Sequence, residues 1–183
     1  MTYSHAPVMV AEVLAHLKPK AGGVYVDGTF GGGGYTQAVL ATPATTVLAI
    51  DKDPAAAARA QALQSTFGPR LKFYQGSFAE LDSALVAHQL TGVDGLMFDL
   101  GLSSYQLDDP QRGFSFSHDG PLDMRMGNTG PTAADLVNTL SEQDLANLFW
   151  RYGEEKNSKK IARAIAAQRR VARRRAHLRR PHA

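Results

Sequence analysis

A glycine-dense loop and the acidic residues at two strand ends are the parts of this sequence best suited to chemistry. The loop, residues 31–34, follows an apolar run that ends at Asp27. Because glycine has no Cβ, its backbone can take positive φ and let a ligand lie directly against its N–H groups. Asp51 closes the next apolar run, twenty residues after Gly31. A carboxylate there can accept hydrogen bonds from both ribose hydroxyls, so the pattern predicts a site for a nucleoside-containing cofactor.

Two further strand ends carry candidate ligand-binding side chains. Phe78 follows the alternating run 71–75, and Asp99 lies in the nearly unbroken apolar run 93–100. Phe78 can lie flat on an adenine ring or serve as an ordinary core aromatic, and the pattern alone leaves both interpretations open. A carboxylate buried in an apolar strand is costly unless it binds something, so Asp99 is expected to contact a ligand.

Alternating strand and helix patterns position these residues. Strands are predicted at 24–27, 45–50, 71–75 and 93–100, and helices between 5 and 17 and at 36–41, 54–64 and 81–88. Asp53 is a predicted N-cap, with Pro54 at the first helical position. The alternation indicates an α/β fold with a parallel, doubly wound sheet, whose fourth strand should be covered on both faces. Ligands bind such sheets at the carboxyl ends of the strands.

The pattern changes after the fourth strand. Residues 101–130 are rich in turn-forming residues, and only helical patterns follow, at 132–139, 141–152 and from 158 onward. Ser141 with Asp144 three residues later is a capping arrangement. The sequence therefore predicts a helical subdomain after the fourth strand.

Composition limits the class of protein. The 183 residues include no cysteine, and the six histidines show no paired metal-ligand spacing. No apolar run approaches the roughly 20 residues needed to cross a bilayer. The N-terminus also lacks the order of charge and apolar residues that marks a secretion signal. We therefore expect a cytoplasmic protein with no metal and no membrane partner.

Charge is divided very unevenly along the chain. Residues 1–155 hold 9 Lys and Arg against 17 Asp and Glu, whereas residues 156–183 hold 11 Lys and Arg and no acid. A basic segment of this kind can neutralise phosphates and give salt-dependent RNA binding. It can equally be a solvated terminus, and composition does not choose between the two.

The loop departs from the nicotinamide-dinucleotide fingerprint. Counting G-x-G-x-x-G from Gly31 puts Thr36 where the third glycine should be. A methyl donor that carries adenosine and an amino-acid tail fits the same geometry without that glycine. We therefore favour S-adenosylmethionine as the cofactor, and a nucleotide-binding oxidoreductase is the disfavoured alternative.

Seven motifs in unbroken order make a family resemblance specific. They include Asp27-Gly-Thr-Phe-Gly-Gly-Gly-Gly34 and Tyr152-Gly-Glu-Glu-Lys156, and the others lie at 5–8, 49–54, 98–108, 112–116 and 119–126. Over about residues 4–168 the chain resembles the RsmH (MraW) family, which methylates the N4 amine of a cytosine, cytidine 1402, in 16S ribosomal RNA. The resemblance implies a Rossmann-like class I methyltransferase sheet, of which the first four strands are present, with a helical insertion subdomain. It also implies S-adenosylmethionine as cofactor and the small ribosomal subunit as partner.

The resemblance implies cofactor contacts at the matching positions. These are Gly33, Gly34, Tyr35, Asp51, Phe78, Asp99 and Gln106. Tyr35 replaces the usual histidine of the family, and Tyr105 replaces a frequent proline. Neither change should abolish binding, because the loop contacts are largely made by the backbone.

Methyl transfer requires that donor and acceptor be held in line. A carboxylate that accepts one hydrogen of the cytosine amine would localise its lone pair, and Asp99 is the candidate catalytic residue. The alternative is that Asp99 holds only the cofactor. Three cations are candidate phosphate or base contacts: Arg112, Arg125 and Lys156. Each can instead pair with neighbouring acids such as Asp119 or Asp123.

These observations predict three parts. Residues 1–107 form the cofactor-binding half, 108–168 a partial helical insertion, and 169–183 a basic tail outside the resemblance. The Arg, Ala, Pro and His content of the tail is what a frame-shifted GC-rich gene would encode, and an RNA-binding arm is the alternative. Without further strands the fourth strand becomes an exposed apolar edge. We expect a poorly stable chain with weak or no activity, and the alternative function is a non-catalytic cofactor- or RNA-binding fragment.

Overall fold

The computed structural model describes residues 7–178, which divide into two compact units. The first unit extends to Gly120 and includes Met126–Asn128. The second comprises Pro121–Arg125 and continues from Thr129. His5, in the first family motif, and residues 179–183 of the basic tail lie outside the described residues.

The boundary between the units lies beyond the one suggested by the sequence. The predicted boundary falls after residue 107, whereas the first unit continues to Gly120. Arg112 belongs to the first unit, where its guanidinium forms an ion pair with Asp53, 59 residues earlier in the chain. A change in local sequence pattern does not reveal such a contact.

A parallel sheet of four strands forms the centre of the first unit. Its strands are β1 (Val24–Asp27), β2 (Thr46–Asp51), β3 (Leu71–Gln75) and β4 (Gly95–Met97). The strand order is β3-β2-β1-β4, and all three pairings are parallel. The predicted α/β class and its four parallel strands are confirmed.

Helices follow the strands as the alternation predicts. They are α1 (Val10–Leu17), α2 (Gly34–Leu40), α3 (Pro54–Phe67), α4 (Leu81–Ala87) and α5 (Ser104–Asp108). Asp53 caps α3, since its Oδ1 accepts a hydrogen bond of 3.0 Å from the Ala55 N–H. Helix α2 begins at Gly34, two residues before its predicted start, so the last loop glycine is already helical.

Both faces of the sheet are buried, as the strand β2 shows most clearly. Val47 and Ala49 pack in one apolar cluster with residues of α2 and α3. Leu48 and Ile50 point the other way and pack against Ala84 of α4. A strand covered on two faces must be apolar throughout, which is why this segment shows no polar alternation.

The fourth strand differs from its prediction. Only Gly95–Met97 pair with β1, and among the described residues β4 has no neighbour on its other side. Leu96 is 43% exposed, and Phe98 and Leu100 are also exposed. The expectation that this strand is covered on both faces is therefore wrong in this chain. The expected exposed apolar edge is present instead.

The second unit is helical, as predicted. It contains α6 (Ala133–Thr139), α7 (Glu142–Gly153) and α8 (Ser158–Leu178), with Leu145, Ala146 and Ala162 in its core. The Ser141 side chain caps α7 by accepting a hydrogen bond of 3.1 Å from the Asp144 N–H. Residues 169–178 of the predicted tail continue α8. None of the helices in the described range has the length and apolar character needed to span a membrane.

Candidate functional site

A cavity of about 430 Å³ lies where the loops after the four strands of the first unit converge. Its volume is within the range of about 300–1,000 Å³ that is typical of small-molecule sites. Six of the seven predicted site residues line it: Gly34, Tyr35, Asp51, Phe78, Asp99 and Gln106. The parallel sheet brings these residues together because the carboxyl ends of its strands share one edge.

Gly33 is the exception among the predicted site residues. It is not among the residues that line the cavity. Its N–H donates a hydrogen bond of 2.6 Å to the Phe30 carbonyl, and its φ is +78°. A Cβ at this position would come within 2.7 Å of the side chains of Leu63 and Phe30. Glycine is thus required here by the left-handed turn and the close packing behind the loop.

Asp51 holds the glycine loop in place. Its Oδ2 accepts a hydrogen bond of 2.7 Å from the Gly31 N–H, and its Oδ1 accepts one of 2.8 Å from the Asp53 N–H. Gly31 has a φ of +51°, so this bond secures a left-handed turn at the cavity wall. Each carboxylate oxygen has a second lone pair, so both oxygens can also accept a hydrogen bond from a ligand hydroxyl.

Arg59, which was not predicted from the sequence, holds the carbonyl group of Gly31. Its Nε donates a hydrogen bond of 2.8 Å to the Gly31 carbonyl. Its guanidinium carbon lies 4.5 Å from the ring centroid of Tyr105, a cavity-lining residue. The Nη2 of Arg59 is buried and has no hydrogen-bond partner among the described residues. The cation–π contact with Tyr105 partly offsets the free-energy cost of burying this charged group.

Phe78 is a half-exposed wall of the cavity. Its side chain is 44% exposed, which argues against the core-aromatic interpretation. The ring packs edge-to-face on Phe98, with centroids 5.4 Å apart. Ser77 and Glu80 fix the turn that contains Phe78 through a capping box. The ring of Phe78 is therefore held in place and partly open to the cavity, where it can stack on a planar ligand.

Asp99 lines the cavity, but for a different reason from the one predicted. The sequence pattern predicts that Asp99 lies in a buried strand, whereas the residue is exposed because β4 ends at Met97 on the sheet edge. Its N–H donates a hydrogen bond of 2.7 Å to the Thr29 hydroxyl, which fixes the backbone at this point. Because Asp99 is not buried, the cost of burial gives no reason to expect a ligand, and only the position of Asp99 at the cavity wall supports a functional role.

Gln106 and Tyr35 complete the predicted set. Gln106 is buried and caps α5, since its Oε1 accepts a hydrogen bond of 3.0 Å from the Ser103 N–H. The Tyr35 hydroxyl donates to the Val8 carbonyl. Burial raises the pKa of Tyr35, and the negative charges of Asp99 and Asp27 raise it further. The phenol therefore stays protonated and remains a donor near neutral pH.

Asp27 ends β1 before the glycine loop and is buried, although it is not among the predicted site residues and does not line the cavity. It is 1% exposed and accepts hydrogen bonds of 2.7 Å from the Thr36 hydroxyl and 3.2 Å from the Thr29 N–H. Burial raises the pKa of Asp27 from 3.8 to about 6, with a smaller contribution from the charge of Asp51. Thr36, which stands where a dinucleotide fingerprint has glycine, therefore has a hydrogen-bonding role below the loop.

The stability of the first unit is expected to decrease as Asp27 ionises. Its pKa is higher in the folded chain than in the unfolded one, so the folded state holds the extra proton between about pH 4 and 6. This contribution is fully present below pH 3.8 and is lost as the pH rises through 6, at a cost of about 3 kcal/mol. Urea denaturation of the wild type and Asp27→Asn across this range measures the effect. The difference between the two free energies of unfolding should change with pH, and a constant difference would contradict the assignment.

Two of the three candidate cations form ion pairs. Arg112 pairs with Asp53 at 2.9 Å, and it also donates to the Met126 carbonyl. In the second unit Arg125 pairs with Asp123 at 2.6 Å, one of the neighbouring acids considered for it. Lys156 is exposed. Within residues 7–178, His, Asp and Glu side chains form no group of three or more that could hold a metal ion.

The fold and this site define a Rossmann-like methyltransferase domain, represented by its N-terminal part. A sequence model described as the MraW methylase family matches residues 2–177, and the chain belongs to that family. The matched residues extend past Gln168, where the motif-based resemblance ends.

Curated relatives agree with this family. They are named ribosomal RNA small subunit methyltransferase H. The Rhodospirillum centenum protein is 56% identical over 168 residues, which cover 92% of this chain and 51% of the relative. The Acidiphilium cryptum protein is 54% identical over 166 residues, covering 91% and 53%. The Paramagnetospirillum magneticum protein is 51% identical over 169 residues, covering 92% and 53%. The chain thus spans about half the length of the curated relatives it matches.

Proposed function

We propose that this chain forms the cofactor-binding half of an enzyme that methylates the N4 amine of cytidine 1402 in 16S ribosomal RNA, in the cytoplasm. The observation that carries the proposal is the convergence of a glycine loop, the Asp51 carboxylate, the Phe78 ring and the Asp99 carboxylate on one cavity. The names of the relatives support ribosomal RNA of the small subunit as the substrate. The position and the atom methylated rest on the family resemblance.

The residues present fit S-adenosylmethionine. The cavity of about 430 Å³ offers an exposed aromatic face for adenine, a carboxylate for ribose and a side-chain-poor loop for the amino-acid tail. In this assignment Phe78 stacks, Asp51 accepts from the ribose hydroxyls, and Gly34 admits the tail beside Tyr35. When bound, the cofactor supplies a methyl group on a positively charged sulfur.

The chain's own contribution to the chemistry is positioning and charge. A cytosine amine is a poor nucleophile because its lone pair is delocalised into the ring. A carboxylate oxygen of Asp99 that accepts one amine hydrogen would localise that pair. The exposed position of Asp99 at the cavity wall is compatible with this role and equally with a role as a ligand of the cofactor's ammonium group.

A second candidate function is a non-catalytic fragment that binds the cofactor or RNA. The observation that favours it is the exposed edge of β4, where Leu96, Phe98 and Leu100 are open to solvent. Apolar edges of this kind promote association and reduce stability. Turnover of small ribosomal subunits at the rate of the curated relatives would exclude the fragment interpretation.

Calorimetry separates the cofactor classes. We expect S-adenosylmethionine and S-adenosylhomocysteine to bind to the full chain with comparable affinity and NAD to show no saturable binding. The physical reason is that the loop has Thr36, with a hydroxyl bonded to Asp27, where the dinucleotide fingerprint requires a third glycine. Tight binding of NAD with no binding of the methyl donor would overturn the proposed function.

A further inference from the structure

A second cavity in the first unit, which is open to the surface, lies next to the first. Its volume is about 640 Å³, and it is lined by Leu107, Asp108 and the segment 114–118. Leu107 lines both cavities. Its neighbour Gln106 belongs to the wall of the first cavity only, so α5 separates the two sites. A ligand in the second cavity would therefore lie beside the proposed cofactor site.

Phe116 gives this second cavity an exposed aromatic surface. Its side chain is fully exposed, at 107% of the reference area, whereas Phe114, two residues earlier, is buried. The turn between them is ordered by hydrogen bonds: the Ser115 hydroxyl accepts one of 3.1 Å from the Ser117 N–H and lies 3.4 Å from the His118 Nδ1. An anchored turn thus holds a large apolar ring in water.

We propose that the second cavity receives the target base of single-stranded RNA, with Phe116 stacking on that base; this rests on the proposed function. A base has apolar faces and polar edges. The cavity offers an aromatic face beside the Ser115 and Ser117 hydroxyls, the His118 imidazole and the Asp108 carboxylate. Stacking on exposed aromatic side chains is the common way in which proteins hold unpaired bases. A base that is to be methylated must unstack from its neighbouring bases, and the Phe116 ring can then stack on it in their place.

The shared residue Leu107 favours RNA over other apolar ligands. Methyl transfer needs donor and acceptor in adjacent sites, and the two cavities have a common wall. The chain also carries 11 Lys and Arg between residues 156 and 183, which provide attraction for phosphates. That attraction is salt-dependent and independent of sequence, so it can be separated experimentally from stacking.

The test measures binding of a fluorescent cytidine-containing single-stranded RNA oligonucleotide to the full chain at high salt. Phe116→Ala is expected to weaken binding by about 5- to 160-fold, the range for loss of one stacked base. Phe116→Tyr should retain wild-type affinity, whereas Phe116→Leu should behave like the alanine variant because it lacks a π face. Trp150→Ala is the matched control, since Trp150 is 60% exposed and lines neither cavity. It should leave the affinity unchanged.

A spectroscopic readout identifies the stacking itself. Trp150 is the single tryptophan of the chain, so Trp150→Phe combined with Phe116→Trp gives one reporter at the proposed site. The oligonucleotide should quench the fluorescence of this reporter more strongly than it quenches Trp150 of the parent chain. Equal affinity of wild type and Phe116→Ala at high salt, or the absence of quenching, would overturn the proposal. Calorimetry with S-adenosylmethionine reports on the proposed function separately, because none of these substitutions touches the first cavity.

Discussion

Asp51→Ala is expected to weaken binding of S-adenosylmethionine by at least about 100-fold. A hydrogen bond to a charged group contributes about 1.5–3 kcal/mol, and each 1.4 kcal/mol changes affinity about tenfold. Loss of two ribose hydrogen bonds therefore accounts for about two orders of magnitude. The substitution also removes the acceptor that holds the Gly31 N–H at 2.7 Å, so the left-handed loop loses its support. Isothermal calorimetry on the full chain measures the change.

Combining a cofactor analogue with a substitution separates the two roles of Asp51, which are to bind the ribose and to support the glycine loop. Removing a ribose hydroxyl from S-adenosylhomocysteine should weaken binding to the wild type and have little further effect on Asp51→Asn, because the carboxylate that accepts that hydroxyl is gone. Asp94→Asn is the matched control, since Asp94 also accepts a backbone hydrogen bond, 2.8 Å from the Val24 N–H, but lies outside the cavity. It should bind the cofactor like the wild type. If Asp51→Ala retains wild-type affinity, the assignment of the cavity is wrong.

Arg112→Ala is expected to lower the free energy of unfolding by about 3 kcal/mol, the lower end of the range for breaking a buried ion pair. The Asp53 side chain is 4% exposed and that of Arg112 is 20% exposed, so removal of the cation leaves a carboxylate buried without its partner. Arg112 also donates a 2.8 Å hydrogen bond to the Met126 carbonyl. Since small domains have only about 5–15 kcal/mol of stability, the loss should be evident in the urea midpoint.

A double-mutant cycle tests whether this loss comes from the pair. Asp53→Asn removes the charge and keeps an oxygen that can cap α3, so the double variant should be less destabilised than the sum of the single variants. Arg163→Ala is the matched control in the second unit. Its partner Glu142 lies 3.4 Å away, and both side chains are exposed, so at most about 0.5 kcal/mol should be lost. Strictly additive effects at Arg112 and Asp53 would show that the ion pair is not the source of stability.

The sequence by itself determined the parallel sheet and most of the cavity wall. Apolar runs separated by helical patterns predict parallel strands, and parallel strands place their carboxyl ends on one edge. The placement of Asp51 and Phe78 at one cavity could therefore be predicted from the sequence without tertiary contacts. The capping roles of Asp53 and Ser141 were also predictable, because a cap interacts with residues only two or three positions away.

Only the tertiary structure decided which charges pair, which residues are exposed and which positions support the loop. The bond from Arg59 to Gly31 spans 28 positions, and that from Arg112 to Asp53 spans 59. No local period in the sequence encodes such partners, because they depend on how separate elements pack. Exposure of Asp99 depended on strand order, since β4 lies at the edge of the sheet and not in its interior. Local sequence patterns specify the elements and their order, whereas long-range packing sets the surroundings of each side chain.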